Sequence, residues 1–490
     1  MANNITRIPN ESKLAADSDD VVFLMVPFPA QSHLNQLLRL SHLIRSRGFP
    51  VHYAASAIHC RQVKLRHDTL LLNTSGIIFH ELLTPPFNSP PPNPYSSVKY
   101  PQHIWPSFEA SLNLREPVAA LLRELSSSSS SVAKTTTRTR TRTRRLVIIH
   151  DYLMNYVVQD AASVPNAESY SFSSGSTFCT FCITRQLSGK PFPVVELEPE
   201  AIPNLDNCFI PEVVKFLSIQ NQYEHLKHGT LFSTCRAVEG PYLDLLAQTT
   251  HADASVDKKT KQWAIAPLFP VTANNDDDKA HPTLEWLDKQ PPKSVIYVSF
   301  GSLTTMSQEQ INELALGLEE SKQRFIWVLR DADRGNIFNA ESTILPLPEG
   351  FEERVKGVGK VTRDWAPQLG ILRHPSVGGF MSHCGWNSCL ESLTMGVPLA
   401  TWPMHSDQPH NALLMTHILK VGVQVMGWGE RDQLITSSVI QKSIENLMAS
   451  SEGHAVRTRA EELGKIIKQS VDDDHWELNS FLTYATRSIN

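Results

Sequence analysis

The hydrophobic pattern near the start of the chain predicts a strand, a helix and a second strand. Val21–Pro27 is apolar throughout, which is typical of a strand covered on both faces of a parallel sheet. Apolar residues then recur at helical spacing, at Leu34, Leu37, Leu38 and Ile44. We expect Ser32 to cap this helix and Gly48 to end it, with the next strand at Phe49–Ala54. This order opens a doubly wound α/β domain.

The same pattern restarts in the second half of the chain. Val295–Ser299 and Phe325–Leu329 predict strands, and Gln308–Ser321 predicts the helix between them. A segment rich in Pro, Asn and Asp lies just before this restart and predicts a boundary. The predicted fold class is therefore α/β, with two Rossmann-like domains facing across a cleft. The predicted division is an N-terminal domain at 1–265, a linker at 266–282, a C-terminal domain at 283–465 and a helix at 466–490 that packs back on the N-terminal domain.

Composition and charge narrow the possible functions. The 490 residues are 41% hydrophobic and 19% charged, with a formal net charge of −5. This net negative charge does not indicate a nucleic-acid partner. The apolar stretches are shorter than the ~20 residues that a membrane helix needs, and the first twenty residues are polar. These features predict a cytoplasmic protein with no integral membrane segment. We also expect the protein to be a monomer.

Cysteines and irregular segments add little chemistry. Seven cysteines are few and odd in number, which disfavours a disulfide framework, and we interpret the Cys179/Cys182 pair as structural. Pro85–Pro94 must be a loop. Ser126–Arg145 is a low-complexity run of Ser, Thr and Arg, which we interpret as a solvated loop because no aromatic residues interleave with the arginines. A nucleic-acid or anionic-membrane patch is the alternative.

The chemistry concentrates in Trp365–Gln408. A glycine-containing turn follows a predicted strand and leads into a short helix, and such a helix N-terminus is a site for a pyrophosphate group. Trp365 offers a flat face for a base, and Glu391 offers a carboxylate to ribose hydroxyls. Asp407 and Gln408 form a pair suited to sugar hydroxyls. The side chains that could donate to phosphate oxygens are His383, Asn387 and Ser388.

This 44-residue segment resembles the signature box of plant family 1 UDP-sugar glycosyltransferases. The resemblance rests on Trp365, Gln368, His374-Pro375, His383, Gly385-Trp386-Asn387-Ser388, Glu391, Gly396-Val397-Pro398 and Asp407-Gln408. It extends to the first strand, to Val295–Ser302 and to the layout of both domains, and it implies the two-domain GT-B fold.

The resemblance also implies roles for individual residues. Trp365, with Ala366 beside it, would stack on uracil, and Gln368 and Glu391 would hold the ribose. The diphosphate would be bound by Ser302, His383, Asn387 and Ser388, and the hexose by Trp386, Asp407 and Gln408. Gln408 favours UDP-glucose as the co-substrate, and Ser173 is a possible further sugar contact. No cofactor and no metal are expected.

The resemblance places the catalytic base at His33, in the turn after the first strand. The family has Gly before this histidine and the chain has Ser32, which changes the freedom of the local backbone. Asp151, after the predicted strand Leu146–Ile149, would orient the imidazole as in a serine-hydrolase triad. His150 is the rival, and alternation along a strand allows only one of the two to face His33. An acceptor hydroxyl would then displace UDP with inversion.

Alternatives remain open for the metal and the acceptor. Asp331 and Asp333 form an Asp-x-Asp after a strand, and Asp276–Asp278 fits the same pattern, as in metal-dependent glycosyltransferases. The acceptor pocket is expected in Pro85–Pro94, Tyr95–Phe108 and Phe178–Phe192. Segments such as VPFPAQSHLNQLLRLSHLI are similar in sequence to zeatin O-glucosyltransferases. This resemblance implies a zeatin-type cytokinin as acceptor. A flavonoid or terpenoid acceptor, a non-catalytic hormone-binding protein and a Rossmann oxidoreductase are the other hypotheses.

Overall fold

The fold comes from a computed structural model of the chain. It describes residues 21–66, 76–127, 145–189, 202–205, 209–251, 260–269, 281–339 and 345–487. Most of the low-complexity segment and of the expected linker, including Asp276–Asp278, lies outside these ranges. The described residues form two lobes, each built on a parallel sheet with helices on both faces, and this confirms the α/β class.

The first lobe contains a seven-stranded parallel sheet in the order β3-β2-β1-β4-β5-β6-β7. The strands are β1 (Val21–Val26), β2 (Val51–Ser56), β3 (Ile78–Leu82), β4 (Arg145–Asp151), β5 (Ala167–Ser173), β6 (Gly229–Phe232) and β7 (Lys261–Ala264). Every residue of β1, β2 and β4 is buried, as their apolar sequences predict for central parallel strands. The helices are α1 (Gln31–Ser46), α2 (Ala57–Arg66), α3 (Trp105–Ser111), α4 (Arg115–Ser127), α5 (Thr177–Ser188), α6 (Pro211–Gln222) and α7 (Arg236–His251).

The second lobe contains a six-stranded parallel sheet in the order β10-β9-β8-β11-β12-β13. Its strands are β8 (Val295–Ser299), β9 (Arg324–Val328), β10 (Gly359–Thr362), β11 (Val377–Ser382), β12 (Leu399–Thr401) and β13 (Gly422–Gln424). Its helices are α8 (Pro282–Leu287), α9 (Gln308–Glu320), α10 (Phe351–Arg354), α11 (Gln368–Arg373), α12 (Trp386–Met395), α13 (Gln408–Leu413), α14 (Ser437–Ala449) and α15 (Ser451–Ala485). The restart of the α/β pattern in the sequence therefore corresponds to a second sheet.

The β1–α1–β2 unit forms as predicted, with one correction. Helix α1 begins at Gln31, its N-cap is Ala30, and no side chain caps it. The expectation that Ser32 caps the helix was wrong, because the chain enters helical geometry one residue before it. Gly48 follows the helix with a φ of +91°, a conformation that glycine adopts readily.

The last helix, α15, connects the two lobes. It begins at Ser451, earlier than the 466 expected from the sequence. Ala460 and Ile467 pack in the core of the second lobe, whereas Leu478 and Phe481 lie in the core of the first lobe with the residues of β1. Among the described helices, none combines the length and the apolar character that crossing a membrane requires.

Candidate active site

A large cleft lies between the two lobes, with a cavity volume of about 2370 Å³. The residues proposed from the sequence that line it are His33, Ser173, Ser302, Trp365, Ala366, Gln368, His383, Trp386, Asn387, Ser388, Glu391, Asp407 and Gln408. Asp151 lies beneath the surface of the cleft and is fully buried. Folding therefore brings residues from both halves of the chain to one cavity.

His33 lies in the first turn of α1 and contacts two polar side chains. Its Nδ1 is 2.7 Å from Asp151 Oδ2 and 2.8 Å from Ser174 Oγ. The other oxygen of Asp151 accepts a hydrogen bond from the backbone N–H of Leu153 at 3.0 Å, which fixes the carboxylate. Because Nδ1 is engaged, Nε2 is the ring nitrogen left to receive a proton from the cleft.

His150, the rival of Asp151, is placed away from this contact. Its Nδ1 donates to the backbone carbonyl of Asp151 at 3.1 Å, and burial lowers its pKa to about 4. It is therefore neutral at neutral pH and belongs to the core. The alternation along β4 directs only Asp151 towards His33.

The N-terminus of α12 faces the cleft from the second lobe. No side chain caps this end at Gly385, so its first N–H groups are available to an anion. His383 lies beside it, and a Cβ added at Gly301 or Gly385 would overlap its ring. Burial lowers the pKa of His383 to about 4. The imidazole is therefore neutral at neutral pH and can interact with a ligand only as a hydrogen-bonding dipole.

Glu391 and Gln368 lie next to each other, where the sequence places a ribose. Gln368 Nε2 donates to Glu391 Oε2 at 2.9 Å and to Ser388 Oγ at 3.1 Å. Trp365 is 43% exposed, so part of its indole is open to a ligand. The guanidinium of Arg66 lies 4.7 Å from the indole centroid, at cation–π distance.

The end of the cleft expected to hold a hexose is formed by Asp407, Gln408 and Trp386. Asp407 Oδ2 accepts from Asn411 Nδ2 at 2.8 Å, and burial raises the pKa of this carboxyl group. Gln408 Oε1 accepts from two backbone N–H groups, and its Nε2 lies 3.3 Å from both ring nitrogens of His405. The indole N–H of Trp386 donates to the carbonyl of Ser233 at 2.6 Å and is not available to a sugar.

The Asp-x-Asp alternative fits the structure poorly. Asp333 accepts hydrogen bonds from Arg66 at 2.5 and 2.7 Å and from Arg330 at 2.7 Å. Its side chain is only 6% exposed, so two guanidinium groups already occupy this carboxylate. In the described part of the chain no three His, Cys, Asp or Glu side chains are grouped as metal ligands.

Sequence reasoning located the acceptor side of the cleft only partly. Tyr100, Ile104 and Phe108 line the cavity, as expected for Tyr95–Phe108. No residue of Pro85–Pro94 lines it, although all ten are described. This loop instead contacts the second lobe, where Ser89 Oγ accepts from the backbone N–H of Gly335 at 3.0 Å.

Sequence reasoning missed several cleft residues, among them Ser174, Gln36 and Arg39. Ser174 contacts the ring of His33, as described above. Gln36 and Arg39 lie one and two turns after His33 on α1, and both line the cleft. Their spacing of three residues, on the helix that carries the expected base, is the signal that could have identified them.

Comparison with known proteins identifies the family. Residues 19–270 match the model of the glycosyltransferase N-terminal domain, and residues 266–457 match that of UDP-glucoronosyl and UDP-glucosyl transferases. The chain belongs to the UDP-glycosyltransferase family. The enzyme is 46% identical to a zeatin O-glucosyltransferase of Phaseolus lunatus, over 99% of this chain and 100% of that protein.

Two further relatives agree with this family assignment. It is 47% identical to a zeatin O-xylosyltransferase of Phaseolus vulgaris, over 96% of this chain and 99% of the relative. The crystal structure of a UGT transferase from Siraitia grosvenorii in complex with UDP has a TM-score of 0.72 and 26% identity, and covers 95% of this chain and 100% of that one. The plant family 1 assignment, the GT-B fold and the identity as a UDP-sugar-dependent enzyme are confirmed.

Proposed function

We propose that this glycosyltransferase transfers glucose from UDP-glucose to a hydroxyl group with inversion, and that His33 is its catalytic base. The contact between His33 Nδ1 and Asp151 Oδ2, at 2.7 Å, carries the proposal. It pairs an imidazole at the cleft with a fully buried carboxylate. That arrangement orients the ring with Nε2 facing the cleft and stabilises the imidazolium formed when it accepts a proton.

The reaction follows from the two lobes facing each other. The acceptor oxygen loses its proton to His33 Nε2 as it attacks the anomeric carbon, and the bond from that carbon to the UDP oxygen breaks on the opposite face. Negative charge then grows on the diphosphate. The uncapped N–H groups of α12 and the neutral ring of His383 are placed to stabilise this charge. Attack opposite the leaving group converts an α-linked donor into a β-glucoside.

The donor is held by the second lobe. Trp365, with Ala366, would carry the uracil and Gln368 and Glu391 the ribose. Ser302, His383, Asn387 and Ser388 would bind the diphosphate, and Asp407 and Gln408 the glucose, with Ser173 reaching it from the first lobe. For Trp386 we propose a packing role instead, because its N–H is taken by Ser233. Gln408 favours glucose, while the xylosyltransferase among the relatives makes UDP-xylose the donor to compare.

The acceptor we propose is a zeatin-type cytokinin, modified at its side-chain hydroxyl. Two relatives at 46% and 47% identity over nearly the whole chain carry zeatin in their names. The acceptor side of the cleft is aromatic, and the rings of Phe28 and Phe108 lie 4.2 Å apart. Phe28 also packs edge-on against His33 at 5.1 Å. A flat, largely apolar alcohol fits this surface beside the base.

The test is a transfer assay with four acceptors and two donors. The acceptors are trans-zeatin, cis-zeatin, a flavonol and a terpene alcohol, each with UDP-glucose and with UDP-xylose. Released UDP and the mass of the product are measured together. We expect a zeatin to give the highest kcat/KM with UDP-glucose and a single added hexose. Faster transfer to the flavonol or the terpene alcohol would contradict the acceptor proposal, and faster use of UDP-xylose would contradict the donor proposal.

We also propose a cytoplasmic location, a monomeric enzyme, and a division between the domains at 266–282. The six cysteines that the structure describes are all buried, and none of these six forms a disulfide, which suits a reducing compartment. The cleft takes its lining from both lobes of a single chain. The two family models meet at 266–270, close to the proposed linker.

A further inference from the structure

Helix α1 carries more than the base. Gln36 lies one turn after His33, and its side chain is buried between the lobes, with only 3% exposed. Its Nε2 donates to the backbone carbonyl of Ser174 at 3.0 Å. Ser174 is the residue whose hydroxyl contacts the ring of His33. The amide of Gln36 therefore holds the backbone of Ser174, whose side chain contacts His33.

The same amide also reaches the donor lobe. Gln36 Nε2 donates to Asn387 Oδ1 in the first turn of α12. Asn387 Nδ2 returns a hydrogen bond to the carbonyl of Ser32 at 3.3 Å, next to the base. One turn further on, Arg39 Nη1 lies 3.2 Å from Glu391 Oε1. Three polar contacts thus set α1 against α12, and the central one passes through Gln36.

We propose that Gln36 is a positioning residue for sugar transfer, which sets the base against the helix that holds the diphosphate. The inference rests on the proposed function of His33. It depends on the two contacts of one amide group: one to the segment beside the base, the other to the first turn of α12. A general base works only when the attacking oxygen and the anomeric carbon are aligned, and small misplacements of the groups involved reduce the rate strongly.

Stability of the fold does not explain this residue. The Oε1 of Gln36 is buried and has no hydrogen-bond partner among the described residues, and an unpaired buried acceptor destabilises a fold. A methionine of similar length would fill the space without that cost. The Gln36→Met variant should therefore fold, while lacking both contacts of the amide.

The test compares Gln36→Met with Gln62→Met. Gln62 is buried to the same degree, but its amide donates to Gln31 within the first lobe. For Gln36→Met we expect kcat to fall by about 10- to 100-fold, with the acceptor KM and the dissociation constant of UDP within about threefold of wild type. Gln62→Met should keep its kcat. Equal losses in the two variants, or an unchanged kcat in Gln36→Met, would overturn the proposal.

A second measurement does not depend on turnover. Amide hydrogen exchange in the first two turns of α1 is followed with UDP bound, in wild type and in Gln36→Met. We expect faster exchange there in the variant and unchanged exchange in β1 beneath it. Gln36→Glu keeps the length of the side chain but loses its N–H donors, so it should show the same faster exchange. It replaces Gln36→Met in the experiment if the methionine variant does not fold. Unchanged exchange would overturn the inference, whereas a wild-type enzyme that transfers no sugar would contradict only the proposed function.

Discussion

The two walls of the cleft are built in opposite ways. On the second lobe, the residues proposed to bind the donor lie in one continuous segment from Trp365 to Gln408, with Ser302 as the one exception among them. On the first lobe, the contact partners are far apart in the chain, since Asp151 lies 118 residues after His33 and Ser174 lies 141 residues after it. A continuous sequence motif can therefore define a donor site. In contrast, His33 and its contact partners come together only when the strands of the first sheet have assembled.

The chemistry of the walls differs as well. The donor wall presents a helix N-terminus, amides and the carboxylates of Glu391 and Asp407, which suit a nucleotide sugar. The acceptor wall presents aromatic rings around the imidazole of His33. This contrast implies that substitutions in the acceptor wall lower the rate of the chemical step, whereas substitutions in the donor wall weaken donor binding.

The largest effect is expected from His33→Ala. Removal of the base should lower kcat by about 10²- to 10⁴-fold, while UDP binding, which depends on the other wall, should stay within about twofold of wild type. Steady-state kinetics and calorimetric titration with UDP measure the two quantities. His454→Ala, at an exposed position on α15, is the matched control and should retain full activity. A large loss of UDP affinity in His33→Ala would break the proposed separation of roles.

A smaller and opposite pattern is expected from Glu391→Gln. Loss of the carboxylate removes a charged acceptor from the proposed ribose site, so the KM for UDP-glucose should rise by about tenfold, with kcat changed less. The control is Glu445→Gln on α14, whose carboxylate contacts Gln441 and lies away from the cleft. An unchanged KM combined with a lower kcat would place Glu391 in the chemical step instead.

Acid should destabilise both walls together. Burial lowers the pKa of three histidines in each lobe to about 3 or 4, namely His59, His103, His150, His383, His405 and His410. Between pH 6.5 and pH 4 the unfolded chain binds protons at these positions and the folded chain does not. The free energy of unfolding therefore falls as the pH falls through this window. Buried Asp407 and Glu239, whose pKa values are raised by burial, oppose this in part.

The measurement is the melting temperature in buffers from pH 7 to pH 4. We expect a continuous decrease below about pH 6.5, and a smaller decrease in His410→Asn, which removes one of the six groups. A melting temperature that rises on acidification would show that the carboxyl groups dominate.

The smallest effect is expected from chelation. Because Asp333 is held by Arg66 and Arg330, EDTA should leave the rate of transfer within about twofold of the untreated enzyme. The assay is UDP release before and after dialysis against EDTA. Activity that is lost and then restored by Mn²⁺ would return the Asp-x-Asp alternative to consideration.

The sequence predicted the parts of the site that depend on local pattern. The strand and helix order around His33, and the glycine turn before α12, follow from apolar spacing and from glycine positions. The N-cap of α1 and the hydrogen bond of the Trp386 indole were not predicted, because both depend on backbone placed by tertiary packing. Gln36 was missed for a related reason. Its partners, Ser174 and Asn387, are 138 and 351 residues away, so the spacing along α1 places Gln36 on the same side of the helix as His33 but does not reveal which residues its amide contacts.

The path of α15 has a consequence for dissecting this enzyme. The helix starts in one lobe and delivers Phe481 and Leu482 to the interior of the other, where Arg145 Nε also donates to the carbonyl of Ala485 at 3.0 Å. A cut in the linker would therefore yield two fragments. The N-terminal fragment would lack part of its core, and the C-terminal fragment would expose the apolar residues at the end of α15. Expression of either half alone should give an aggregating product, and the two halves should recover a native form only when mixed.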